Sequence, residues 1–271
     1  MSQYHLQISD GDVAPYVLLP GDPGRVPTIA AHWDEARHVA TNREYVTYTG
    51  VYQGVPISCT STGIGAPSTS VAMEELARCG ATTFLRVGTA GTFQEYINNG
   101  DLVVFDGAVR LDGASRLYAP IEYPAIAHHE VVTAAVEAAE RMGIRHHVGL
   151  TRSADTFYAG HPRPGSSYAD YWQSWWSGHF EDLKRQNVLA AEMEASIIFV
   201  LARLWGLRAG GAAVVLDNML EVSGETGEFD PDTQLAHSAE SIERLALFGC
   251  ELVRTLAEND QRRATSATTS R

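Results

Sequence analysis

The segment Leu85-Arg86-Val87-Gly88-Thr89-Ala90-Gly91 joins an apolar run to a turn of small residues, with an arginine between them. The residues from Thr83 to Val87 have the continuous apolar character of a buried strand, and the small residues mark its end. A strand end of this kind presents a guanidinium, a hydroxyl and backbone N–H groups to one anion. The segment therefore predicts a buried strand that delivers Arg86 to an anion-binding turn.

Two other polar turns also carry an arginine. Arg25 follows the glycine turn Leu19-Pro20-Gly21-Asp22-Pro23-Gly24, and Arg43 lies in Thr41-Asn42-Arg43-Glu44. Three arginines in polar turns predict a cage in which each guanidinium donates to phosphate oxygens. The alternative is that each arginine forms a surface salt bridge, because arginine is well suited to both tasks.

Strand-like and helix-like segments alternate along the chain. Predicted strands are 16–19, 55–59, 83–87, 102–105 and 212–216, and predicted helices are 68–79, 131–142, 195–205 and 238–256. This alternation predicts an α/β fold with a mostly parallel sheet. No repeat and no long linker divides the sequence, so we expect one domain at 1–258 and a disordered tail at 259–271.

Composition argues against several classes of protein. The chain has 271 residues, of which 45% are hydrophobic, enough for a substantial core. Its net charge of −13 argues against a general nucleic-acid surface. Cys59, Cys79 and Cys250 show no paired spacing, no signal-peptide pattern is evident, and no apolar run approaches the ~18 residues of a membrane span. We therefore expect a cytoplasmic protein that binds neither nucleic acid nor membrane.

Six short motifs follow one another along the chain. They are Pro20-Gly21-Asp22-Pro23, Ser61-Thr62-Gly63-Ile64-Gly65-Ala66-Pro67-Ser68, the Arg86 turn, Val109-Arg110-Leu111-Asp112-Gly113-Ala114-Ser115, Asp155-Thr156-Phe157-Tyr158 and Glu192-Met193-Glu194-Ala195. In this order they resemble the nucleoside phosphorylase family, which holds uridine phosphorylase and the hexameric bacterial purine nucleoside phosphorylases. The resemblance runs from His5 to about Glu258. The Arg110 and Phe157 segments resemble the uridine phosphorylase branch.

This resemblance implies a phosphorylase/hydrolase-like single domain with a mixed, partly barrel-like central sheet flanked by helices. It implies a pentosyltransferase, in which orthophosphate attacks the anomeric carbon of a nucleoside and releases the base and (deoxy)ribose 1-phosphate. Phosphate is then the co-substrate, and no cofactor is required. The resemblance also implies a homodimer whose subunits share their sites, with three dimers in a hexamer.

Phosphate binding is assigned by the same resemblance. It implies that Gly21, Arg25, Arg86 and Thr89 contact phosphate from one subunit, while Arg43 enters from the neighbouring subunit. Arginines and backbone N–H groups can hold and orient this anion by electrostatics, without a covalent intermediate. A nucleoside hydrolase of the same fold would use water and would not need such a cage.

Glu192 and Glu194 stand two residues apart, just before a helical pattern that begins at Ala195. In extended chain this spacing puts both carboxylates on one face. The resemblance implies that they hold the ribose 2′- and 3′-hydroxyls, with Glu194 the main contact and Met193 lining the sugar, and that His5 reaches the 5′-hydroxyl across the dimer interface. The alternative is a pair of ordinary acids at a helix N-terminus, stabilised by the helix dipole.

The base site departs from the family pattern. The resemblance implies base contacts from Phe157, His161, Arg163 and Asp217, but the uridine branch has a glutamine where this chain has His161. Asp217 falls where the purine enzymes carry an acid that protonates N7 of the leaving purine, whereas the uridine branch is apolar there. Asp217 could also be a strand-end acid with no catalytic role. The sequence favours uridine as the substrate, with guanosine or inosine as the alternative.

Glu44, Ile64 and Ser68 match positions that surround a monovalent cation at the dimer interface of the uridine branch, for which K+ is the natural occupant. A carboxylate, a carbonyl and a hydroxyl are suitable hard ligands for such an ion. The assignment of this site rests on the resemblance.

Two other classes of protein fit less well. Gly63-Ile64-Gly65 after a strand suggests a dinucleotide-binding turn, but Ser68 replaces the third glycine. A non-catalytic nucleoside-binding module would be expected to lose an arginine or Glu194, and this chain keeps them. The sequence therefore predicts an enzyme, with Arg86, Glu194 and Asp217 as its catalytic residues.

Overall fold

The computed structural model describes residues 2–159, 167–219 and 231–269, with ten strands and seven α-helices in those ranges. The strands are β1 (Tyr16–Leu19), β2 (Glu35–Asn42), β3 (Tyr45–Tyr52), β4 (Val55–Thr60), β5 (Thr83–Thr92), β6 (Leu102–Leu111), β7 (Ala125–Ile126), β8 (His146–Ala154), β9 (Ala190–Glu192) and β10 (Arg208–Asn218). The helices are α1 (Arg25–Ala30), α2 (Ala66–Arg78), α3 (Ala114–Tyr118), α4 (His129–Arg141), α5 (Ser174–Arg185), α6 (Ala195–Leu204) and α7 (Pro231–Thr269).

Five strands close into a barrel. β5 pairs with β10, β10 with β6, β6 with β8, β8 with β9, and β9 returns to the last residues of β5. The first half of β5 pairs instead with β1, from which β4, β3 and β2 extend the sheet. The predicted α/β fold with a mixed, partly barrel-like sheet is confirmed. β5 belongs to both parts of the sheet, so its residues lie where the barrel opens.

The prediction of a mostly parallel sheet is wrong, because the chain contains hairpins that the strand–helix alternation did not reveal. β2, β3 and β4 are consecutive and antiparallel. The turn between β3 and β4 is Gln53-Gly54, with φ of 46° and 79°. Two residues with positive φ form the tight turn that joins antiparallel strands. The β2–β3 turn contains Arg43, with φ of 55°.

β5 is longer than the strand predicted at 83–87. Gly88, Thr89 and Ala90 do not turn away but pair with Ala213, Val214 and Val215 of β10. One of these small residues, Gly88, makes room for the Arg86 side chain. A Cβ atom at Gly88 would lie 2.6 Å from Cζ of Arg86, so only glycine lets that guanidinium fold back beside its own strand.

Helices cover the sheet from both sides. α2 and α6 supply one core cluster, in which α6 is buried from Ala195 to Ala202 through residues such as Ile197 and Phe199. α1, α4 and α7 supply the other, with Ala135 and Phe248. The apolar, alanine-rich sequence of α4 and the continuous apolar run of α6 explain these contacts. The predicted helices at 68–79, 131–142 and 195–205 correspond to α2, α4 and α6.

The C-terminal helix does not stop where the sequence predicted a disordered tail. α7 runs through Thr269, and its continuation beyond residue 258 is held by polar contacts that the sequence did not reveal. Asn259 Nδ2 donates to Glu137 Oε2 at 2.9 Å, and Asp260 forms an ion pair with Arg208 Nη2 at 2.7 Å. In the part of the chain that the structure describes, neither α7 nor any shorter helix has the length and hydropathy needed to cross a membrane.

Candidate active site

A cavity of about 900 Å³ opens beside β5, at the mouth of the barrel. It is lined by the turns after β1 and β4 and by residues of β5, β8, β9 and β10. Twelve residues named from the sequence line it: Gly21, Arg25, Glu44, Ile64, Ser68, Arg86, Thr89, Phe157, Glu192, Met193, Glu194 and Asp217. Within the described part of the chain, residues predicted to bind phosphate, sugar and base therefore line one cavity.

Arg86 lies at the centre of a buried ion-pair network. Its Nη2 donates to Glu194 Oε2, its Nε to Glu192 Oε2 at 3.4 Å, and its Nη1 to the carbonyl oxygen of Leu19 at 3.3 Å. Arg86 is only 4% exposed, so the alternative of a surface salt bridge is wrong for this residue. The guanidinium joins the end of β1 to both acids before α6.

Arg25 lies on the same cavity and faces Arg86. Burial lowers the pKa of the Arg25 guanidinium, and repulsion from Arg86 lowers it further, while Asp22 and Glu194 oppose the shift. The ion pair between Arg25 Nε and Asp22 Oδ2 is long, at 4.0 Å. Two arginines close enough to repel each other, with Thr89 beside them, form a site that favours an anion.

The two glutamates have different roles. Glu192 Oε2 accepts from the backbone N–H groups of Glu194 (2.8 Å) and Ala195 (2.9 Å), and its Oε1 accepts from the Ser153 hydroxyl. Glu192 is therefore an acid at the N-terminus of a helix, as the alternative interpretation of Glu192 and Glu194 had it. It also lines the cavity. The strand-to-helix junction predicted for the pair is present, since β9 ends at Glu192 and α6 begins at Ala195.

Glu194 points away from the helix and into the cavity. Its Oε1 accepts from the backbone N–H of Gly65 at 2.6 Å, and its Oε2 accepts from Arg86. Burial raises the pKa of the Glu194 carboxyl, while the Arg86 charge acts to lower it. Gly65 has φ of 88°, a conformation that glycine adopts without strain, and this turn directs its N–H at the carboxylate. The Gly63–Gly65 segment thus serves Glu194 and not a dinucleotide.

At the other end of the cavity, four residues lie in register on neighbouring strands. Arg152 of β8 pairs with Ala191 of β9, Ala191 with Gly91 of β5, and Gly91 with Asp217 of β10. All four line the cavity, as does Met219. Sequence reasoning missed Arg152, which stands in the run Val148-Gly149-Leu150-Thr151-Arg152. An arginine inside an apolar strand was the signal that could have revealed it.

Several predicted residues lie elsewhere. His5 is outside the cavity, and its Nδ1 lies 2.8 Å from Glu75 Oε1. Arg43, in the β2–β3 turn, is also not among the residues that line the cavity. His161 and Arg163 fall outside the described residues.

The three residues predicted to hold a cation are close together at the cavity rim. Ser68 Oγ donates to the carbonyl oxygen of Ile64 at 3.2 Å, and the Ile64 side chain is 79% exposed. A Cβ atom at Gly63 would lie 2.7 Å from Cγ of Glu44 and 3.2 Å from Ser68 Oγ. The side chains of Glu44 and Ser68 therefore approach the same glycine, and the Ile64 carbonyl oxygen lies beside Ser68.

Comparison with known proteins identifies relatives across nearly the whole chain. The model of the family described as "Phosphorylase superfamily" matches residues 15–254. A uridine phosphorylase of Thermococcus kodakarensis is 48% identical over 96% of this chain and 88% of its own length. A guanosine phosphorylase of Halorubrum lacusprofundi is 41% identical over 89% of this chain and 94% of its own. The crystal structure of a uridine phosphorylase from Vibrio fischeri superposes with a TM-score of 0.80, at 31% identity, over 94% of this chain and 96% of that one.

Proposed function

Since this chain belongs to the phosphorylase superfamily, we propose that it catalyses the reversible phosphorolysis of nucleosides, with uridine the favoured substrate. It is an enzyme of the nucleoside phosphorylase type, a pentosyltransferase whose co-substrate is phosphate. The observation that carries the proposal is the meeting of Arg25 and Arg86 beside the Glu194 carboxylate in one cavity. An anion site next to a hydrogen-bond acceptor for hydroxyl groups fits phosphate beside a pentose.

The chain's own residues account for binding and orientation. Arg25, Arg86 and Thr89 hold the phosphate, together with the backbone at Gly21. The Glu194 carboxylate accepts hydrogen bonds from the ribose hydroxyls, and Met193 packs against the sugar. A phosphate oxygen uses its lone pair to form the bond to C1′, the C1′–N bond breaks, and its electron pair leaves with the base. Positioning and electrostatic stabilisation are the main contributions of the protein to such a step.

Assembly completes this proposal. His5 and Arg43 do not line the cavity of their own chain, so we place them in the site of a partner subunit, with three such dimers in a hexamer. Glu44, Ile64 and Ser68 would bind K+ at the same interface, with no further cofactor. We also place the enzyme in the cytoplasm, which fits the buried free thiols of its three cysteines.

A purine nucleoside is the second proposed substrate, because Asp217 lies on the cavity. An acid at this place can protonate N7 of a purine, which uracil does not have. The relative from Halorubrum lacusprofundi is named a guanosine phosphorylase, which supports the same alternative. His161→Gln would restore the amide of the uridine branch and should raise the preference for uridine over purines if that position contacts the base.

A substrate panel tests the proposal. Uridine, thymidine, inosine, guanosine, adenosine and cytidine are incubated with and without phosphate, and free base and pentose 1-phosphate are measured. We expect release of base only with phosphate, with pentose 1-phosphate formed in equal amount. Release of base at the same rate without phosphate would identify a hydrolase and overturn the proposal. Good turnover of guanosine with little turnover of uridine would select the second substrate class.

A further inference from the structure

The motif from Val109 to Ser115 has no part in the mechanism above, although its polar side chains are buried. Arg110 Nε donates to Ser115 Oγ at 3.0 Å, and Ser115 donates to Asp112 from its backbone N–H at 2.6 Å and from its hydroxyl at 2.8 Å. Asp112 also accepts from the hydroxyl of Ser196, which lies in the first turn of α6. The motif is therefore tied to the helix that follows the two glutamates.

Ser153 of β8 continues this network to the cavity wall. Its Oγ accepts from the backbone N–H of Ser196 at 2.9 Å and donates to Glu192 Oε1. Ser153 is paired with Glu192 of β9, and strand residues paired in register point to the same side of a sheet. Ser153 is fully buried and is not among the described residues that line the cavity. Its influence on a ligand therefore passes through Glu192.

The Glu192 carboxylate is held by both of its oxygens. Its Oε2 accepts from the backbone N–H groups of Glu194 and Ala195 and, at 3.4 Å, from Arg86 Nε. Its Oε1 accepts from the Ser153 hydroxyl. A carboxylate held at one oxygen can still rotate, whereas hydrogen bonds at both oxygens fix its plane. The Ser153 hydroxyl therefore helps to set how Glu192 faces Arg86.

The contacts of Arg86 decide which of its donors can reach a ligand. A guanidinium has five N–H groups in a fixed plane. On Arg86, Nε donates to Glu192, Nη1 to the carbonyl oxygen of Leu19 and Nη2 to Glu194. Within the described part of the chain, this leaves one N–H on each terminal nitrogen for a ligand in the cavity. Because the group is planar, the three protein contacts also set the direction of these two remaining donors.

We infer that Ser153 is a positioning residue for phosphate: by fixing the Glu192 carboxylate, it holds Arg86 in the orientation that directs its remaining N–H groups at phosphate oxygens. The inference rests on the proposed phosphorolysis. Asp112 secures the far end of the network, because it fixes Ser196, whose N–H donates to Ser153. Groups behind a binding residue set its orientation, and small errors in that orientation cost affinity and rate.

The test removes one hydroxyl. In Ser153→Ala, KM for phosphate should rise roughly 10-fold or more, as is usual when an outer hydrogen bond that orients a binding group is lost. KM for the nucleoside should change less, because Glu192 Oε2 can still accept from the Glu194 N–H. Phosphate should also raise the melting temperature of Ser153→Ala less than that of the wild type, since the stabilisation depends on affinity. Ser153→Cys keeps the shape of the side chain with a weaker donor, so it should be intermediate, and it gives the same comparison if Ser153→Ala does not fold.

Ser58→Ala is the matched control. Ser58 of β4 is also fully buried, and its Oγ accepts from the Ala14 backbone N–H at 2.8 Å and lies 2.8 Å from Thr49 Oγ1, but it does not line the cavity. Its replacement should lower the melting temperature much as Ser153→Ala does and leave KM for phosphate unchanged.

Glu192→Gln tests the route of the effect. If Ser153 acts through Glu192, the double variant should have a phosphate KM close to that of Glu192→Gln alone, because both changes act on one contact. Effects of the two changes that simply multiply, or a phosphate KM in Ser153→Ala no higher than in Ser58→Ala, would overturn the inference. If the wild type releases no base with phosphate, the proposed function fails instead, and the shift of melting temperature by phosphate still tests the role of Ser153.

Discussion

Replacing Arg86 by alanine removes the cation that contacts Glu192 and Glu194 together. Both carboxylates are at most 5% exposed, so water cannot replace the lost contacts. Removing one partner of a buried ion pair costs about 3–5 kcal/mol of folding stability. The same change removes an anion-binding group, and losses of about 3 kcal/mol, or roughly 10²-fold in turnover, are usual for one such group. We expect both effects, with a raised KM for phosphate.

The loss of stability should depend on pH. Burial already raises the pKa of the Glu194 carboxyl, and without Arg86 nothing comparable opposes this shift. In Arg86→Ala, the Glu194 carboxyl of the folded state then binds a proton more tightly than the same carboxyl of the unfolded state does. Stability gained from such a group is present at low pH and is lost as pH rises through the folded pKa. The variant should therefore be closer to wild type at pH 5 than at pH 8.

Two measurements check this prediction. Urea unfolding at pH 5 and pH 8 gives the difference in free energy of unfolding between variant and wild type, and initial rates at several phosphate concentrations give kcat and KM. Arg86→Lys is the control, because lysine keeps the charge but cannot contact both carboxylates at once. It should be intermediate in both assays. Wild-type stability at pH 8 together with an unchanged phosphate KM would refute the role given to Arg86.

Three further changes test the rest of the site. Arg43→Ala and Glu194→Ala should each abolish activity. Mixing the two proteins under conditions of subunit exchange should restore some activity, because one site of a mixed dimer is then intact. If no activity returns after proven exchange, each site is built within one chain. Asp217→Asn should reduce purine nucleoside cleavage by about 10²-fold or more while uridine cleavage changes much less. If the substitution changes neither the purine nor the uridine rate, Asp217 has no catalytic role. Gly88→Ala places a Cβ 2.6 Å from Cζ of Arg86, so we expect a destabilisation of about 1–3 kcal/mol by thermal unfolding, together with a raised phosphate KM.

Much of the fold and of the site can be predicted from local sequence. β1 has the predicted bounds, and β4 and α6 differ from theirs by a single residue, because an apolar run that ends at glycine is a local signal. The hairpins of β2, β3 and β4 were missed because their sequences are polar on the exposed side and carry little apolar periodicity. β8 was missed for the same reason, and Arg152 with it.

The sequence alone was enough to name most of the residues that line the cavity, because motifs such as Pro20-Gly21-Asp22-Pro23 and the Arg86 segment carry their chemistry within a few residues. It could not say which groups touch. Arg86 and Glu194 are 108 positions apart, and they meet only because β5 lies next to both β1 and β9.

The tertiary structure also decided the roles of residues that look equivalent in the sequence. Glu192 and Glu194 are the same residue type two positions apart, yet the turn into α6 directs one at the helix N-terminus and the other at Gly65 and Arg86. Arg152 and Asp217 share a cavity because β5 and β10 close the barrel. Contacts of this kind depend on packing between distant strands, and the free energy of that packing is a property of the whole sheet and not of any one segment.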